Sequence, residues 1–89
     1  HGDFAPSILE ARLGTIAAGA TSGDEPKRHA GEELCHVLDG ATRDIVDRQR
    51  FDLELGDTIQ FKCSDPHSWE NIASGTTCVL WVFSEGLNF

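Results

Sequence analysis

The sequence predicts an all-β domain, a small antiparallel β-sandwich or barrel, on three observations. Gly, Asp and Pro punctuate the chain at short intervals and leave apolar segments of strand length between them. Residues 76–84, TTCVLWVFS, form an almost wholly apolar run rich in β-branched and aromatic residues. No repeat, low-complexity tract or long linker interrupts the pattern.

The elements follow in chain order. Ser7 and Glu10 have the spacing of a helix capping box. Leu9, Ala11 and Leu13 nonetheless alternate with Glu10 and Arg12, and Gly14-Thr15-Ile16 would end a helix early, so a first strand is expected. A second strand puts Glu33, Cys35 and Val37 on one face and ends at Asp39-Gly40. Between residues 37 and 63 at least three strands are expected, joined as hairpins at Asp39-Gly40, around Asp47-Arg48-Gln49 and at Gly56-Asp57. The run 76–84 reads as a strand covered on both faces.

An 89-residue chain makes one domain, with its core expected over about 8–84. A domain of this size buries only roughly 60% of the surface its unfolded chain exposes, so a homodimer is a reasonable source of further stability. The outward face carrying Leu34 and Leu38 is the surface that a partner copy would cover. Fifteen acidic against seven basic residues give a net charge of −8, which repels phosphate backbones and anionic membranes and excludes direct nucleic-acid binding by this domain. No apolar run reaches the length of a membrane span, and no secretory pattern opens the chain. Cys35, Cys63 and Cys78 are odd in number and lack C-x-x-C spacing, so free thiols in a reducing, cytoplasmic setting are expected. The chain contains no Met and reads as a fragment or processed product.

Chemistry concentrates in two stretches, KRHAGEELCHVLDG and SDPHSWEN. An inward carboxylate at Glu33 is expensive in a small barrel unless something compensates it. His29 lies just upstream, and the second stretch supplies His67, with Trp69 on the same strand face and Asn71 beyond. Two imidazoles and a carboxylate on neighbouring strands suit a divalent metal. They also suit a plain arrangement in which His29 pairs with Glu33 or Lys27 at the barrel mouth and His67 is a satisfied buried histidine. Trp69, and less so Trp81, is a stacking platform or a core residue. Cys35 and Cys63 are ligand thiolates or small hydrophobes. Asp24-Glu25 reads as a solvated loop. Ser64, Ser68 and Ser74 lack a G-x-S-x-G context, and His36 faces away from Cys35, so no nucleophile with its base is present.

From about Ala11 to Ser84 the chain resembles the cupins, in particular the small sensor domains attached to helix-turn-helix regulators of the XRE type. Cupins are similar in having a His-x-His pair, then a Glu, then a Gly after six residues; Glu33, LCHVLD and Gly40 fit, and His29 stands at the second His. The second motif runs from a Gly to a His eleven positions on and an Asn four beyond, matched by Gly56, His67 and Asn71. The resemblance implies a double-stranded β-helix of jelly-roll type. It also implies one divalent metal (zinc, iron, manganese or nickel) on His29, Glu33 and His67, and a ligand pocket drawing on Lys27, Cys35, Cys63, Trp69 and Asn71. Lys27 departs from the pattern by replacing the first motif His, and Lys62 and Ser64 replace the usual Pro and Gly. The implied function is binding of a small-molecule effector, with DNA contacted through a separate N-terminal domain. The alternative is a metal-dependent enzyme of dioxygenase or isomerase type.

Overall fold

A computed structural model describes residues 9–84, which form seven strands: β1 (Leu9–Ile16), β2 (Glu32–Asp39), β3 (Ala41–Val46), β4 (Gln49–Glu54), β5 (Thr58–Lys62), β6 (His67–Asn71) and β7 (Thr77–Ser84). The all-β expectation holds: among the described residues there is no helix, and so none able to cross a membrane. The first segment is a strand that includes Glu10, while Ser7 lies outside the described residues. A larger antiparallel sheet has the order β1-β7-β2-β5 and faces a smaller one, β4-β3-β6, in a flattened barrel.

Only one of the three expected hairpins is a hairpin. Asp47 and Arg48 both take positive φ, 49° and 70°, between the paired residues Val46 and Gln49, the geometry of a two-residue type I′ turn. Asp39-Gly40 instead carries the chain from the larger sheet into the smaller. Gly40 has φ of 94°, and a Cβ there would strike both the backbone and the side chain of Thr77, so glycine is required. Gly56-Asp57 is a second corner. The Asp57 carboxylate accepts from the Glu54 amide at 2.8 Å, and backbone bonds of 2.8 and 3.0 Å tie Gly56 and Asp57 to Val37 on β2. These bonds direct the chain across to the larger sheet and away from its neighbour β4.

β7 lies between β1 and β2, and its inward residues Thr77 and Val79 are fully buried. Its outward residues Cys78, Leu80 and Val82 are only half-buried, so the run is not covered on both faces. On β1 the apolar residues also point outward: Leu13 is 77% exposed, while Ile16 on the opposite face joins the core. That core consists of Ile16, Cys35, Val37, Leu53 and Val79, with Ile59, Trp69 and Trp81 packed against it.

Asn71 fastens one end of the barrel. Its Nδ2 lies 3.0 Å from each of the Ile16, Ala17 and Gly75 carbonyls, and its Oδ1 accepts from the Ala73 amide and the Thr77 hydroxyl at 2.8 Å. One side chain thus joins the end of β1, the β6–β7 loop and the start of β7. Two amide hydrogens shared among the carbonyls of buried Ile16 and of exposed Ala17 and Gly75 leave no donor spare. Replacing Asn71 by Ala orphans those carbonyls, and we expect a loss of about 3 kcal/mol in unfolding free energy from urea titration, at roughly 1 kcal/mol or more per unmet group. A loss below about 1 kcal/mol would show that Asn71 does not fasten this end.

Candidate metal and ligand site

The site is assembled by a loop that borrows the edges of strands. Ser22 exchanges bonds with Trp69, its amide donating to the Trp69 carbonyl and its hydroxyl accepting from the Trp69 amide, both at 2.9 Å. Lys27 and His67 donate to each other's carbonyls at 2.8 and 3.0 Å, and the His29 amide donates to the Cys63 carbonyl at 2.9 Å. The Cys63 amide in turn donates to the Gly31 carbonyl at 2.9 Å. The β1–β2 loop therefore lies along the free edge of β6 and the end of β5, which places His29 and Lys27 against residues more than thirty positions away in the chain.

His29, Glu33, Cys63 and His67 each offer one ligand atom, and these atoms all lie within 4.8 Å of one another. Both imidazoles are oriented by backbone carbonyls. His29 Nδ1 lies 3.0 Å from the Ala30 oxygen and His67 Nδ1 2.9 Å from the Asp65 oxygen. A carbonyl only accepts, so each Nδ1 carries the hydrogen and each neutral ring keeps its Nε2 lone pair for a ligand. The two rings stand edge to face with centroids 5.0 Å apart, and Phe61 packs against His67 at the same separation.

Glu33 is 7% exposed, and burial pushes its carboxyl up to about 7 against the pull of His29, with Asp44 adding to the rise. Cys63 is fully buried, and burial followed by the charges of Glu33 and Glu32 pushes its thiol up to about 11. It is therefore a protonated thiol at neutral pH, becoming a ligand only when a metal displaces its proton. Two imidazoles, a carboxylate and a thiol at this spacing fit a first-row divalent ion, with zinc the natural occupant of a mixed nitrogen and sulfur set.

The cluster opens into a cavity of about 260 Å³ lined by Arg12, Ser22, Lys27, His29, Glu33, His67, Trp69, Trp81 and Phe83. The Trp69 and Trp81 rings lie 5.8 Å apart at 39°, and Gly14 makes room for Trp81, whose indole a Cβ at that position would overlap. The structure thus brings His29, Glu33 and His67 together, with Lys27 and Trp69 on the cavity wall. Trp81, read from sequence more as core, lines the cavity as well, and Cys63 joins the donor cluster. Cys35 and Asn71 do not line the cavity. Cys35 is buried in the core, its thiol pushed up to about 12 chiefly by burial and further by Asp44 and Glu33, against a hydrogen bond with Trp81. Asn71 is corrected from ligand contact to the fastening role described above, because all its hydrogen-bonding capacity is already used.

One interior residue was missed in the sequence. Asp44 is 4% exposed on the inward face of β3, with burial pushing its carboxyl up to about 6. The neighbouring Thr42 hydroxyl offsets part of this rise from outside hydrogen-bonding geometry. Asp44 Oδ1 and Thr42 Oγ1 have no hydrogen-bond partner among the described residues. The two faces of β3 are equally mixed in the sequence and do not mark it.

A flattened antiparallel barrel with a histidine and carboxylate cluster at the mouth of an internal cavity defines the class. The chain belongs to the cupin family: residues 12–83 match Cupin_2, the cupin domain. Among curated proteins, an uncharacterised protein of Methanocaldococcus jannaschii is 33% identical over 48 residues, or 54% of this chain and 38% of that protein. The chain therefore spans well under two thirds of that relative's length. Among solved structures, the Cupin_2 domain of an XRE family transcriptional regulator from Enterobacter cloacae aligns with a TM-score of 0.78 at 19% identity, covering 90% of this chain and 84% of that one. An HTH_3 family transcriptional regulator from Vibrio cholerae aligns at 0.78 and 21% identity over 90% of this chain and 44% of its own. A cupin superfamily sugar phosphate isomerase from Silicibacter pomeroyi aligns at 0.74 and 23% identity over 89% and 52% of the two chains.

The raised carboxyls make a prediction for the metal-free domain. Glu33 and Asp44 hold their protons more tightly folded than unfolded, shifting from ordinary values of 4.5 and 3.8 to about 7 and about 6. Their contribution is therefore full below about pH 4 and lost as pH rises through 6 and 7, on the order of 3 kcal/mol for Glu33. Chelator-treated protein is expected to unfold at higher urea concentration at pH 5 than at pH 8, with Glu33→Gln flattening the difference. Equal midpoints at the two pH values would contradict the burial of both charges.

Proposed function

We propose that this domain is the effector-binding sensor of a helix-turn-helix transcriptional regulator, and that it takes a small polar molecule over a divalent metal held by His29, Glu33, Cys63 and His67. The observation that supports it is the convergence of these four donors beside a cavity of about 260 Å³, a size suited to a metabolite smaller than a typical drug. When bound, the metal supplies a Lewis-acidic position for an oxygen of the effector. Lys27 and Arg12 on the cavity wall add positive charge, and the paired indoles supply apolar contact.

The net charge of −8 fits a domain that leaves DNA to another part of its protein, and reduced thiols at all three cysteines fit a cytoplasmic setting. Regulation would proceed by population shift: an effector binding one arrangement of the sensor more tightly than another biases the DNA-reading domain by that difference. A full-length parent whose operator affinity ignores every molecule that the barrel binds would remove this reading.

A second reading is a metal-dependent enzyme of dioxygenase or isomerase type. It is favoured by cations beside a metal-competent cluster, an arrangement able to polarise a bound carbonyl or phosphate. Turnover by the metal-loaded domain, in place of simple binding, would decide for it.

Elemental analysis tests the shared premise. Protein purified without chelator or affinity-column metal is expected to carry close to one equivalent of a first-row metal, lost when Glu33→Ala and His67→Ala are combined. Acidification is also expected to release the metal, because protons compete with it for the donor atoms. Metal-free wild type, or metal retained unchanged to pH 4.5, would contradict imidazole ligation.

A further inference from the structure

We propose that Asp44, with Thr42 beside it on β3, forms a deep subsite that receives the ammonium end of a small aminocarboxylate, beneath the donor cluster. The inference rests on the reading of the cavity as an effector site and adds the class of effector.

The inward face of β3 carries Thr42, Asp44 and Val46, all buried. Asp44 pairs in register with Trp69 on β6, and the Trp69 indole lines the cavity. From the opposite sheet, Glu33 and Cys35 both lie near enough to feel the charge of Asp44. Asp44 Oδ1 and Thr42 Oγ1 lack protein partners among the described residues although both are enclosed. A buried carboxylate oxygen with no donor is costly, and an apolar side chain would fill the same place near Cys35 without that cost. An acid kept at such a position is matched by a donor that arrives with a ligand.

The chemistry of that donor follows from its surroundings. A carboxylate is acceptor-only when ionised, so Asp44 repels anions and favours a cation at its own end of the site. The indole faces of Trp69 and Trp81, 5.8 Å apart, favour the same charge. At the exposed end the sign reverses, with Arg12 and Lys27 on the cavity wall. A site negative in its depth and positive at its mouth suits a molecule with an ammonium at one end and a carboxylate at the other. Asp44 does not itself line the cavity, so the proposed subsite requires the half-buried Trp69 indole, its neighbour in register, to turn aside.

The test compares β-alanine and 4-aminobutyrate with 3-hydroxypropionate and propionate, which replace the ammonium by a hydroxyl or by hydrogen. Calorimetric titrations would use the wild type, Asp44→Asn and Asp44→Leu, with zinc uptake measured separately on each. We expect the better of the two amines to bind wild type at least tenfold more tightly than propionate. Hydroxypropionate should fall between, and the amine advantage should vanish in both variants while zinc uptake stays at the wild-type level. The proposal is overturned if neither amine outbinds propionate, or if either variant keeps the advantage. Zinc uptake without any amine preference removes this inference alone, whereas absence of both zinc and ligand binding removes the cavity reading with it.

Discussion

Lys27 and His67 exchange two backbone hydrogen bonds, and His29 and Gly31 bracket Cys63 with two more. Through these four bonds the fifteen-residue loop between β1 and β2, which alone would order nothing, becomes an extension of the smaller sheet's edge and of the end of β5. What the loop contributes to the site depends on them and on the Ser22–Trp69 pair. His29 enters the cluster because its amide is fixed to Cys63, Lys27 reaches the cavity wall because its backbone is paired with His67, and the Trp69 backbone is tied to Ser22. The same bonds cover strand edges that would otherwise present unpaired amides to another chain.

Two acids inside a barrel this small set the electrostatic problem that the site solves. Glu33 and Asp44 are both buried, and no lysine or arginine pairs with either among the described residues. Without a partner they hold protons close to neutral pH. A divalent metal on Glu33 reverses the balance there, since it favours the ionised carboxylate and draws the proton from Cys63 as well. Stability and binding are thus opposed at the same residues: the groups that cost the empty barrel most are those with most to gain from an occupant. The apolar stripe of Leu13, Leu34 and Leu80 on the outer face is a separate matter and lies away from the site.

The parts of the fold legible in sequence were the local ones. Glu33, Gly40, Gly56 and His67 sit at fixed spacings within single strands and turns, so the motif and its faces could be read directly. The corners could not, because Gly40 serves the sheet switch through its fit to Thr77, thirty-seven positions on. Cys63 joins the donors through the His29 amide, another long-range pairing. β1 misled for a different reason: its apolar residues alternate as a core strand's would, yet Leu9 and Leu13 face outward. Asp44 was hidden because the two faces of β3 are equally mixed. Ala41, Arg43 and Ile45 against Thr42, Asp44 and Val46 offer no contrast from which to choose the buried side.

In the proposed metal site four donors of this chain, Cys63 among them, close on one divalent ion. Cobalt(II) tests it most directly, because a bound thiolate adds a sulfur-to-metal charge-transfer band in the near ultraviolet and a four-coordinate site intensifies the visible ligand-field bands. The account predicts both signatures at one equivalent of cobalt, with the charge-transfer band absent in Cys63→Ser and all bands absent in His67→Ala. Cobalt spectra of a six-coordinate, sulfur-free ion, unchanged by Cys63→Ser, would contradict it.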